Sequence, residues 1–69
     1  MSRPARRLRV STEVDVTRSL IEAARFAQSL GLGKQECQSV STAVSELARN
    51  ILKYAGEGFV ALEEVEDSG

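Results

Sequence analysis

Between Lys34 and Gly56 the apolar residues Cys37, Val40, Val44, Leu47, Ile51 and Tyr54 recur at intervals of three and four. That period predicts one amphipathic helix over about residues 34–55, closed by the Ala55-Gly56 pair. Glu46 and Asn50 are four apart and so lie one above the other on a single face. At about 100° per residue, Lys53 falls only about 20° from Glu46 around the axis. Val40, Val44, Leu47 and Ile51 centre roughly 140° away by the same geometry. One face therefore packs, and the other groups a carboxylate, an amide and an ammonium.

From spacing alone, two readings of that group stand. A carboxylate can orient or deprotonate a hydroxyl, an amide oxygen can ligate a hard cation such as magnesium, and an ammonium can meet phosphate. The same three residues also make an ordinary solvated face with a Glu-to-Lys contact.

Size and composition narrow the possibilities. Sixty-nine residues make at most one small domain, near the length where a single core becomes marginal. The chain is 42% hydrophobic and 28% charged, which suits a globular protein. A net charge of -1 hides an asymmetry: Arg3, Arg6, Arg7 and Arg9 crowd the start, and Glu57, Glu63, Glu64, Glu66 and Asp67 crowd the end. No aromatic residues interleave with the arginines, so a disordered, solvated arm over about residues 1–7 is expected, not a nucleic-acid surface. The single cysteine, Cys37, forms no internal disulfide and lies on the apolar side of its helix, where a buried structural thiol is expected. There is no histidine, which removes the usual zinc ligand and the commonest general base. No membrane-length apolar run or secretory signal is visible, so a cytoplasmic protein without a membrane partner is expected.

Before the long helix, residues 8–12 alternate apolar and polar and predict a short strand. Asp15 is the expected N-cap of a first helix from about Val16 to Leu30. Val16, Leu20, Ala23, Ala24 and Ala27 form its packing stripe, while Arg18, Glu22, Arg25 and Gln28 face water. Phe26 lies on the flank, either against a sheet or partly exposed. Gly31 suits a left-handed C′ position, with Leu32 folding back toward Ala27. The connection through Gly33 is too short and glycine-poor for a phosphate loop. Gly33 caps the second helix, and the short connection makes the helices antiparallel neighbours. Gly56-Glu57-Gly58 is a turn, and residues 59–65 are the clearest strand. Its first four residues are apolar on both faces, so one side is expected to meet the helices and the other a further layer or partner.

The run Val40-Ser41-Thr42-Ala43-Val44-Ser45-Glu46-Leu47-Ala48-Arg49-Asn50-Ile51-Leu52-Lys53-Tyr54-Ala55-Gly56 resembles the first ATP-binding box of the GHKL ATPases. Within that superfamily it is most similar to the small serine/threonine protein kinases that regulate bacterial sigma factors, of the stressosome switch type. The resemblance extends through Ser11-Thr12-Glu13 and Asp15, Leu30-Gly31-Leu32-Gly33, and Gly56-Glu57-Gly58. It implies an α+β fold, a two-layer sandwich of order strand-helix-helix-strand that forms the N-terminal half of a Bergerat (GHKL) fold. It implies that Glu46 polarises the attacking hydroxyl of a partner protein and that Asn50 holds the magnesium ion bridging the phosphates of ATP. Lys53 resembles a basic residue on the same wall that approaches phosphate. Arg49 is also characteristic of this subgroup; roughly 60° off the catalytic face, it suits packing or partner contact.

In these kinases an Asp-x-Gly-x-Gly segment, a lid and a second glycine-rich box follow the strand. Here Asp67 is not followed by the required glycines, so residues 1–69 resemble a partial GHKL domain with its first ATP-binding box at 40–56. The implied parent is a kinase acting on a regulatory protein, either a phosphorylatable antagonist or a stressosome scaffold. The alternative is a non-catalytic dimerisation or interaction module derived from such a kinase. In either case the 69 residues alone are expected to bind ATP and magnesium weakly. Two short strands leave open edges and apolar surface, so a homodimer is expected.

Overall fold

A computed structural model describes residues 5–64, with β1 at Ala5–Val10, α1 at Glu13–Ser29, α2 at Lys34–Tyr54 and β2 at Gly58–Glu63. The order is strand-helix-helix-strand, an α+β arrangement. β1 and β2 form a two-stranded antiparallel sheet in which Ala5 stands opposite Glu63, Leu8 opposite Val60 and Val10 opposite Gly58. Val10 and Val60 are buried with Val16 and Ala23 of α1 and Val44 and Ala48 of α2. Arg7, Arg9, Phe59 and Ala61, at the alternate strand positions, are exposed. The sheet thus packs one face on the helix pair, as its period of two requires.

β1 begins earlier than the sequence suggested. Ala5, Arg6 and Arg7, expected in a disordered arm, pair with Glu63, Leu62 and Ala61. Backbone pairing recruits them whatever their charge, and their side chains find partners: Arg6 Nη1 lies 3.2 Å from Glu22 Oε2, and the Arg7 guanidinium sits 4.1 Å over the Phe59 ring. The rest of the expected arm, residues 1–4, lies outside the described residues. Val65, expected at the end of the second strand, does so too.

α1 also starts before its expected cap. Thr12, with extended backbone (φ -141°, ψ 167°), is the N-cap, and its hydroxyl accepts the Asp15 N–H at 3.3 Å. Asp15 instead occupies the third helical position, and its carboxylate accepts the N–H groups of Ser11 and Thr12 at 2.8 and 3.2 Å. This is a capping box. It removes Ser11 and Thr12 from the strand because their polar groups are committed to the helix start. Val16, Ser19, Ala23, Phe26 and Ala27 are buried, whereas Leu20 and Ala24 stand half-buried at the edge of the stripe. Phe26 is resolved in favour of the interior.

The connection behaves as its glycines suggest. Gly31 has φ 84°, its N–H bonds to Gln28 O at 3.0 Å, and Leu32 N–H reaches Ala27 O at 3.2 Å. These two bonds close a Schellman motif. At the start of α2, Glu36 Oε1 accepts the Gly33 N–H at 3.2 Å. At its end Gly56 takes φ 81° and returns its N–H to Ile51 O at 2.9 Å.

The packing face of α2 is rotated from the expected one. Val44, Ser45 and Ala48 are buried, and Val40, Ile51 and Leu52 are partly so. Leu47 and Tyr54 keep 54% and 77% of their surface exposed. The small side chains of Ser45 and Ala48 let α2 approach its neighbours closely, and that approach turns the larger residues to the flank. Cys37 is half-exposed, its Sγ 3.5 Å from Leu32 O, so it is not the buried thiol that its position suggested.

Candidate catalytic face of helix α2

The helix that carries the candidate residues is fixed at both ends and along one side. Caps at Gly33 and Gly56 set its length, and Val44, Ala48 and Ile51 press it onto the core. Its rotation about its own axis is therefore set, and with it the direction of everything on the opposite side. Glu46, Asn50 and Lys53 are all exposed there. Their common face follows from the helical repeat, with Glu46 and Asn50 stacked one turn apart.

The three side chains are not held as a rigid cluster. Lys53 turns its ammonium over the Tyr54 ring, 5.3 Å from the centroid. Glu46 borders a shallow depression lined by Gln38, Ser39, Thr42 and Ala43 of the same helix, which Asn50 and Lys53 do not line. The neighbouring Ser45 hydroxyl points inward and donates to Thr42 O at 2.8 Å. Arg49 is exposed.

The donor set can be weighed against magnesium and ATP. Among the described residues no group of three His, Cys, Asp or Glu side chains could hold a metal by itself. Asn50 and Glu46 offer an amide oxygen and a carboxylate, both open to solvent. Magnesium bound with a nucleotide takes most of its six ligands from phosphates and water and needs only one or two protein oxygens. The pair fits that partial role and no larger one.

A second polar cluster was only partly legible in the sequence. Asp15 accepts from the Ser11 N–H, the Ser11 hydroxyl at 3.0 Å and the Thr12 N–H, and lies 3.5 Å from Arg18. The Ser11 N–H bond, then the Ser11 hydroxyl, hold its carboxyl below the ordinary 3.8 against a smaller opposing effect of desolvation. The signal was present as Thr12-Glu13-Val14-Asp15, a threonine followed three residues later by an acid. Beside it runs a groove between β1 and α1, bordered by Arg6, Arg18, Ser19 and Glu22. In the helical pattern Arg18 and Glu22 fall on the water-facing side of α1, and the structure sets both at the border of this groove.

No helix among the described residues is long and apolar enough to cross a membrane. No family model matches the chain, and no solved structure does so either. Over 62 residues, 90% of its length, the chain is 40% identical to the serine/threonine-protein kinase RsbT of Bacillus subtilis (strain 168). It spans 47% of that protein, about half its length. Over the span that it covers, the chain is related to RsbT-like proteins.

Proposed function

We propose that this chain forms the N-terminal part of an ATP-dependent serine/threonine protein kinase of the sigma-factor regulatory type, carrying the first ATP-binding box of a GHKL domain. The observation that carries the reading is the 40% identity to a serine/threonine-protein kinase over a span that includes α2. The placement of Glu46 and Asn50 on the face that the core leaves open supports it. Magnesium-ATP supplies the phosphoryl group and the positive charge that offsets the phosphates. Asn50 offers one oxygen to the metal, and Glu46 accepts a hydrogen bond from the serine or threonine hydroxyl of a partner regulatory protein, orienting it for attack. Lys53 adds a mobile positive charge one turn further on, toward phosphate. Two protein oxygens on one exposed helix face do not enclose a nucleotide, so the 69 residues alone are expected to bind it weakly.

The test is calorimetric titration with magnesium-ATP, run on this chain and on the intact kinase, followed by phosphoryl transfer to the partner. In the intact kinase, Asn50→Ala abolishes metal-dependent ATP binding. Glu46→Ala leaves binding in place and slows transfer by about 10²–10⁴-fold, the usual weight of a positioned acid or base. Both residues are exposed, so each variant keeps its folding stability within about 0.5 kcal/mol. Wild-type transfer rates in Glu46→Ala, or micromolar ATP affinity in the chain alone, would overturn these assignments. A second reading, a non-catalytic interaction module, draws on the exposed Leu47 and Tyr54 flanking Asn50. Partner binding that survives both substitutions, with no transfer in the wild type, selects it.

A further inference from the structure

β1 has β2 on one side, and no strand among the described residues pairs with its other edge. Unpaired N–H and C=O groups along such an edge are a template for another strand. Beside it lies the groove between β1 and α1, where Ser19 is buried and Leu8 half-buried. Arg6, Arg7, Arg9 and Arg18 border this groove with Asp15 and Glu22; Arg6 and Arg18 stand 3.2 and 3.5 Å from Glu22 and Asp15, and Arg9 lies 3.8 Å from the exposed Glu57. Arg7 and Arg9 stand at alternate positions with the exposed Phe59 and Ala61 across the sheet, on the face away from the helices. Leu8, between them, takes the opposite face and packs against the core.

We propose that the free edge of β1 receives an extended acidic segment of a partner protein, added as a third strand. The arrangement dictates its pattern. Residues beside Arg7 and Arg9 are acidic, and those between them, turned toward Leu8 and Ser19, are small or apolar. Main-chain pairing gives the affinity, and the alternation gives the specificity. A second copy of β1 is disfavoured at this edge. Antiparallel β1-to-β1 pairing centred on Leu8 sets Arg7 opposite Arg9 of the other copy, and like charges directly opposite are destabilising. This inference does not rest on the kinase reading, and its test contains no nucleotide, so either can fail alone.

The probe is a blocked heptapeptide alternating glutamate and valine, titrated into the full chain and followed by backbone amide shifts. Saturable binding is expected, with the largest shifts over Ala5–Val10. It should weaken by about tenfold or more in about 1 M salt, where the screening length is about 3 Å. The double variant Arg7→Glu with Arg9→Glu, checked for folding by circular dichroism, should lose this peptide and bind the lysine–valine counterpart. If the variant does not fold, the wild type still decides between the two peptides. Failure to saturate at millimolar peptide, equal binding of the lysine–valine peptide to the wild type, or shifts centred on β2 or α2 would each overturn the proposal. So would a homodimer in solution whose contacts map to β1.

Discussion

Asp15 does the work of two groups at the start of α1: it satisfies the N–H groups of Ser11 and Thr12 and places negative charge in the first turn. Its pKa is lowered on folding, so its contribution is present above the unfolded value near 3.8 and is lost as pH falls through the lower folded value. Acid unfolding followed by circular dichroism should therefore show a loss of stability below about pH 4 that is reduced in Asp15→Asn. An identical acid profile in the variant would remove Asp15 from that role. At this scale the sequence was informative about glycines and less so about caps. Gly31 and Gly56 take positive φ where the helix ends demanded it. The choice between Thr12 and Asp15 depended on reciprocal hydrogen bonds, which neighbouring residue types suggest but do not fix. Gly58 shows a constraint that no local pattern reveals, since a Cβ there would stand 2.9 Å from Ile51 Cγ2.

The two helices meet through alanine. Ala23 and Ala27 of α1 and Ala48 of α2 have almost no exposed surface. Side chains of this size allow the close contact that also draws Ser45 inward and leaves Leu47 outside. Ala48→Leu is expected to destabilise the fold by about 1–3 kcal/mol through overpacking, measured by urea unfolding. A neutral result would show that the interface has slack. The helices were legible because each carries a sustained 3.6 period that ends at a glycine, β1 because it alternates, and β2 because an apolar run follows Gly58. The rotation of α2 was not, since hydrophobicity alone favoured Leu47 and Tyr54 over Ser45 and Ala48. Steric fit between helices decided it, and steric fit depends on both partners. The polar face of α2 survived this rotation because Glu46, Asn50 and Lys53 lie far from either version of the packed stripe.

For the whole molecule, Phe26 is the one large side chain among the buried described residues, and the largest fully buried side chains are Val10, Val16 and Ser19. Phe59, Tyr54 and Leu47 meanwhile stay more than half exposed. Such a distribution favours self-association, and the strand edges differ in their capacity for it. Arginines burden β1, whereas β2 offers Phe59-Val60-Ala61-Leu62 before its first charge at Glu63. Sedimentation equilibrium at micromolar concentration should give a homodimer, and Phe59→Lys should shift it toward monomer. A clean monomer for the wild type would mean that the apolar surface is tolerated or serves a different partner.

α2 runs without a break from Lys34 to Tyr54, anchored along its length by the core. Glu46 and Asn50 therefore ride on a single stiff rod. No hinge separates them, and ordinary breathing of the molecule leaves the spacing of their backbone positions unchanged. A ligand that engages both meets a ruler of fixed pitch, adjustable only through side-chain torsions. Any opening and closing around that ligand must be carried by material that moves past the rod. The timing of such an event is then governed by the moving part, while its alignment is set in advance by one turn of helix.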